Sequence, residues 1–215
     1  MVNNVEIKKM ETDDEIRGKA YVHWKCWHEA YPGLVDQGYL DAMTLEKCEK
    51  IAYSWPDNLI VAKDNGRVIG FVGYGDRGDE APNTGEIFAL YVLAEYYGKG
   101  VAQKLMKAGL QQLTNYPQIC LWVLKENKRA IRFYEKCGFT PTGEELISSN
   151  IGAAEIRMVM KPTKTAEQMM PDAPHEIPYE GAKEMILVDD IDNPEFLCSL
   201  LEAMADELPA PKKKK

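Results

Sequence analysis

The sequence predicts one α/β domain over residues 1–161, a mixed sheet with helices on both sides, followed by an acidic extension. Three observations carry this. Strand-like and helix-like stretches alternate through the first 160 residues, the pattern of a sheet covered by helices. Asn65-Gly66 joins two apolar runs, and Asn-Gly at such a join marks a hairpin because a type I′ turn needs two residues at positive φ. The run Glu86-Ile-Phe-Ala-Leu-Tyr-Val92 is nearly all apolar, as in a central strand covered on both faces.

The elements follow in order. Val5, Ile7 and Lys9 alternate with Glu6 and Lys8, giving a first strand. Thr12-Asp-Asp-Glu15 fits a capping box, opening a helix to about Ala30 with Trp24, Trp27 and Tyr31 near one face. Tyr31-Pro32-Gly33 ends it, and a second helix is read over 36–53. Leu59–Lys63 and Val68–Tyr74 form the Asn-Gly hairpin, and Glu86–Val92 is the next strand. Beyond a glycine-bearing loop come a helix over 101–114, a strand over 118–123, and a helix over 127–137 closed by Gly138. Phe139 begins a last hairpin whose return strand is Glu155–Met160.

Character changes after Lys161. Residues 162–183 carry four prolines and read as an extended linker. Residues 184–208 read as a strand at Met185–Val188 and a helix from Pro194, with Phe196, Leu200, Met204 and Leu208 recurring every four residues. Residues 209–215 form a lysine-rich tail. Residues 161–215 hold 7 Lys against 12 Asp and Glu, and the remainder 19 basic against 22 acidic residues, within a net charge of −8. Neither part offers a basic face for phosphate backbones, so no nucleic acid is expected. No apolar run reaches the roughly 18–20 residues that span a bilayer, so no membrane is expected. Five scattered cysteines without a C-x-x-C, and an N-terminus without signal-peptide order, read as cytoplasmic.

The chemistry concentrates in Tyr97-Gly98-Lys99-Gly100-Val101-Ala102, between an apolar strand and a helix of good formers. Glycines there let the backbone turn tightly and bring a phosphate to the first free amides of the helix. The spacing is neither a P-loop nor a dinucleotide fingerprint. It resembles the pyrophosphate-binding signature of the GNAT superfamily, Gln/Arg-x-x-Gly-x-Gly/Ala, with Gly100 and Ala102 in place and Tyr97 departing from the usual Gln or Arg. Asn127-x-x-Ala130-x-x-x-Tyr134-x-x-x-Gly138-Phe139 matches a second GNAT landmark at every fixed position.

The resemblance implies an N-acetyltransferase that takes acetyl-CoA as cosubstrate and needs no metal. Its fold is a mixed, mostly antiparallel sheet, with a splayed strand pair holding CoA. By the family pattern, the pantetheine arm pairs with backbone near Tyr91 and Val92, and Tyr97–Ala102 hold the pyrophosphate. Asn127 contacts the cofactor in that pattern, or serves as an ordinary N-cap. Tyr134 protonates the leaving thiolate, and Glu86 is the general base. Trp27 and Tyr31 line the acceptor, which Glu86 also contacts. His23 and His28 reach the acceptor side or pack within the fold. The expected substrate is a small cationic amine, with homodimerisation possible; a protein α-amine or lysine is the alternative, and a non-catalytic acetyl-CoA sensor a third reading from another class.

Overall fold

Strand β1 (Glu6–Lys9) leads into helix α1 (Asp13–Ala30) through the expected capping box. The Glu15 amide donates to the Thr12 hydroxyl, and the Thr12 amide donates back to the Glu15 carboxylate at 3.2 Å. The helix expected over 36–53 is two helices, α2 (Gln37–Ala42) and α3 (Leu45–Ser54). Asp36 caps the first through the Tyr39 amide and Thr44 the second through the Lys47 amide. The Thr44 hydroxyl competes for backbone groups that would otherwise continue the first helix, and Met43, its C-cap, is buried.

Strands β2 (Leu59–Asp64) and β3 (Arg67–Asp76) form the predicted hairpin. Asn65 and Gly66 both take positive φ, 49° and 83°, as that turn requires. The remaining elements are β4 (Thr84–Val92), a 3₁₀ turn at Ala94–Tyr96, α4 (Val101–Gln111), β5 (Gln118–Leu124), α5 (Lys128–Lys136), β6 (Thr140–Ser148) and β7 (Ala153–Met160). The computed structural model describes residues 5–76, 83–148 and 151–160, and the backbone of 175–176 and 185–186.

The sheet runs β1-β2-β3-β4-β5-β7-β6, and every neighbouring pair is antiparallel except β4 and β5. Phe71 of β3 faces α1, where Lys19 and His23 meet its ring, while Val72 faces Gly109 of α4. Helices therefore cover both sides. Buried Ile69, Phe71, Leu105, Leu121, Phe139 and Met158 belong to one continuous core. Strand β4 is central, yet not covered throughout: Gly73 lies opposite Ala89 and Tyr74 opposite Ile87, leaving Phe88 as an extra residue. The Phe88 ring rests over Gly73, where a side chain would otherwise sit, and is 53% exposed.

The chain divides into two compact units, Met1–Met160 and Lys161–Lys215. In the second, β8 (His175–Glu176) pairs antiparallel with β9 (Met185–Ile186). His175 and Glu176, read as linker from the sequence, are thus strand, and Met185–Ile186 is the start of the strand expected at 185–188. The rest of the expected linker, the helix from Pro194 and the lysine tail lie outside the described residues.

Candidate active site

Strands β4 and β5 pair only at Thr84–Glu86 against Gln118–Cys120. Beyond Cys120 they part, although β5 remains paired to β7 through Leu124 and β4 to β3 through Val92. The gap opens a cavity of about 340 Å³, lined by Ile87–Val92 on one wall and Trp122–Leu124 on the other. Facing edges of parted strands carry amides and carbonyls that want partners, so an extended amide-bearing chain fits between them. One carbonyl is already engaged: the Cys26 thiol donates to Val92 O at 3.3 Å. A thiol is a weak donor and a carbonyl has two lone pairs, so Val92 can still accept from a ligand.

At one end of the gap lies the glycine loop. Gly98 and Gly100 take φ of 72° and 81°, conformations that a side chain would strain. No atom lies within 4 Å of where a Cβ would sit on either. Gly100 is the N-cap of α4 and supplies no capping side chain, so the first amides of the helix are left for another acceptor. Tyr97, Gly98, Gly100, Val101 and Ala102 line the cavity beside Arg129, whose guanidinium stacks 3.9 Å above the Tyr97 ring. Uncapped amides, a helix N-terminus and an arginine form a cradle for an anion of the pyrophosphate kind. Lys99 is outside this lining, its ammonium over the Tyr96 ring. Asn127 lines the cavity and also caps α5, accepting from the Ala130 amide at 3.1 Å.

The other end is aromatic. The Trp27 indole N–H donates to the Tyr91 hydroxyl at 3.0 Å, and the Tyr31 hydroxyl reaches the same oxygen at 3.5 Å. Tyr134 lines the cavity with them. Burial raises all three phenols: Tyr91 to about 12, and Tyr31 and Tyr134 well above the ordinary value. All three are therefore protonated at neutral pH and able to donate. The loop after α1 and the turn before β7 close this end, joined by a 2.8 Å bond from the Asp36 amide to Ile151 O.

The wall here also holds Glu155, which the sequence reading passed over as one more residue of a strand. Its place opposite Leu124 in the β5–β7 register brings it to the cavity beside Tyr31. It is half-buried, and burial raises its carboxyl above the usual range. Glu86 sits elsewhere: it is half-buried on β4 between Gly75 and Cys120, where the strands still pair, and does not line the cavity. His28 packs against Met43 O, and His23 lines a second cavity on the α1–α3 side. Among the described residues no cluster of three or more His, Cys, Asp or Glu could hold a metal, and no helix is long and apolar enough to cross a membrane.

The profile of the acetyltransferase (GNAT) family matches residues 20–139. An uncharacterized N-acetyltransferase of Archaeoglobus fulgidus is 33% identical over 141 residues, 60% of this chain and 89% of that one. N-alpha-acetyltransferase 30 of Schizosaccharomyces pombe is 37% identical over 90 residues, 40% of this chain and 60% of that one. The PaiA N-acetyltransferase of Thermoplasma acidophilum, solved in complex with coenzyme A, superposes with a TM-score of 0.59 over 74% of this chain and 99% of that one, at 20% identity, and so shares the fold. With the parted β4–β5 pair and the uncapped glycine loop, these matches place the chain in the GNAT family, as an acyl-CoA-dependent N-acetyltransferase.

Proposed function

We propose that the protein transfers the acetyl group of acetyl-CoA to the primary amine of a small cationic molecule. The observation that carries this reading is Glu155: a half-buried carboxylate in the wall of an otherwise aromatic chamber, beside Tyr31 and near Trp27 and Tyr134. A carboxylate among ring faces suits an ammonium, by charge and by cation–π attraction.

The same group supports the chemistry. An ammonium must lose a proton before its nitrogen attacks the thioester carbonyl. A carboxyl raised by burial is a better base than a solvated one, and Glu155 takes that proton. Glu86, off the cavity, reaches the amine only through water. As the C–S bond breaks, the Tyr134 hydroxyl donates to the departing thiolate. Its phenol is a weaker acid than a free thiol, at about 8.5, but the thiolate forms in the same dry chamber, where burial makes it a stronger base too. The glycine loop and Arg129 hold the pyrophosphate, and the open edges of β4 and β5 hold the pantetheine amides.

A thiol-release assay with acetyl-CoA against polyamines, aminoglycosides and peptides with a free N-terminus tests the reading. Turnover of a small polyamine or amino sugar, with Glu155→Gln losing about 10²-fold or more and Glu86→Gln much less, is the expected result. Because burial raises Glu155, wild-type kcat/KM falls as pH drops through a value above the ordinary carboxylate range, and the Gln variant lacks that limb. Turnover of peptides alone would move the assignment to a protein α-amine, the reading that the 37% identity to an N-alpha-acetyltransferase favours.

A further inference from the structure

On the α1–α3 side of the sheet lies a second cavity, of about 500 Å³. Among the described residues, one charged group in its wall has no counterion and one buried nitrogen has no hydrogen-bond partner. Lys19 is 5% exposed, and no described carboxylate pairs with it; its ammonium sits 5.0 Å over the Phe71 ring. The neighbouring Cys48 thiol, raised to about 11 by burial, carries no charge at neutral pH and cannot serve as a counterion. The second group is His23, whose Nδ1 is buried without a hydrogen-bond partner. Burial and the nearby Lys19 lower that imidazole to about 4, so it is neutral at physiological pH. A buried cation without a counterion and a buried nitrogen without a partner each cost stability.

We propose that this cavity binds a small aromatic carboxylate, its charge held by the Lys19 ammonium with the neutral His23 ring in the wall beside it. The rest of the lining fits such a ligand. Phe71, Phe88 and Tyr91 present rings, and Trp55, 74% exposed, adds a fourth. Flat apolar bodies pack against such walls in offset or edge-on contacts. One lysine and one neutral imidazole balance a single negative charge, and exposed Asp57 in the lining opposes a second, which disfavours phosphates. The site is also connected to the reaction chamber. Phe88, Ala89 and Tyr91 line both cavities, and Tyr91 carries the hydroxyl that Trp27 and Tyr31 share.

The carboxylate arrives either on the acceptor itself, as a tail remote from its amine, or on a separate ligand. Calorimetric titration of the full chain with indole-3-acetate, and with the isosteric indole-3-acetamide as the uncharged control, tests the site without requiring acetyl transfer. A failure here is therefore distinct from a failure of the amine reading above. Indole-3-acetate binds the wild type, and indole-3-acetamide binds at least about tenfold more weakly. Lys19→Met keeps the length of the side chain and weakens indole-3-acetate binding by about tenfold or more, the scale of a lost charge-assisted bond. A nitrogen-15 spectrum shows the His23 Nδ1 resonance moving during the titration, a readout available even if the variant folds poorly. No binding to the wild type, equal binding to Lys19→Met, or an unmoved His23 signal overturns the proposal. Inhibition of an uncharged-tail amine separates the sources: competition with the amine assigns the carboxylate to the acceptor, and inhibition that leaves its KM unchanged assigns it to a second ligand.

Discussion

Helix α1 buries two charged side chains one turn apart, Glu15 at 1% exposure and Lys19 at 5%, and they are treated in opposite ways. Burial alone would raise the Glu15 carboxyl, but Lys63 at 2.8 Å, the Glu11 amide, Lys8 at 2.9 Å and the Thr12 amide outweigh it, and the group ends far below the usual carboxylate range. Lys19 has an aromatic ring and a neutral thiol for company. The first charge is answered entirely from within the chain and fastens α1 to β1 and β2. The second faces a cavity. Tyr134 and Glu155 belong with Lys19, as polar groups turned toward enclosed space. Where this fold completes its own hydrogen bonding it builds scaffold, and where it stops short it leaves work for a ligand.

That division can be broken by mutation. The largest expected effect is on the ligand side. Tyr134→Phe keeps the ring packed between Phe133 and Phe139 and removes only the proton donor, so turnover falls by about 10²–10⁴-fold. Acetyl-CoA affinity and melting temperature change little; turnover within a few-fold of wild type would make Tyr134 a packing residue. On the scaffold side the effect is thermodynamic. Glu15→Gln leaves Lys63 without its charge partner and Lys8 with Glu11 alone, and destabilises the fold by about 1–3 kcal/mol at neutral pH, with turnover per folded molecule unchanged. Because the folded-state carboxyl lies below its unfolded value, this contribution is full above about pH 5 and is lost as pH falls through and below the ordinary carboxylate range. Denaturant midpoints of the two proteins should therefore converge on acidification, and a constant gap would contradict the linkage.

A smaller effect sharpens the contrast in the loop. Gly100→Val meets no neighbouring atom, so its cost is the strain of a β-branched residue at φ 81°, about 1–2 kcal/mol or somewhat more. Acetyl-CoA binding should weaken by about tenfold or more in calorimetry. Tyr97→Gln loses only a stacked guanidinium and should stay within about threefold.

Features set by local rules were legible in the sequence: the Thr12–Glu15 box, the Asn65-Gly66 turn, the Asn127 cap, and the two motifs that bound the cavity. What escaped depends on register and burial. Glu155 looks like any strand residue until β7 is aligned with β5, which sets it beside the gap. The extra residue at Phe88 arises from the match between β3 and β4, and no local signal announces it. Lys19 could have been found. Ile16, Lys19, Ala20, His23 and Trp27 fall at i, i+3, i+4, i+7 and i+11, so the lysine stands on the apolar face of its helix. A solvated charge is usually placed on the opposite one.

Three residue pairs hold β4 to β5, and their brevity has a mechanical meaning. The sheet is two plates, β1 to β4 and β5 to β6, joined along one short seam at the closed end of a wedge. On the proposed reading, a pantetheine arm lying in that wedge would complete a sheet the polypeptide leaves unfinished, acting as a borrowed strand. Whatever binds the folded chain and not the unfolded one adds to its stability, about 2.7 kcal/mol at a hundredfold excess over the dissociation constant. On that reading the donor of the acetyl group would also be a structural member, and each round of catalysis would remove and replace a piece of the architecture.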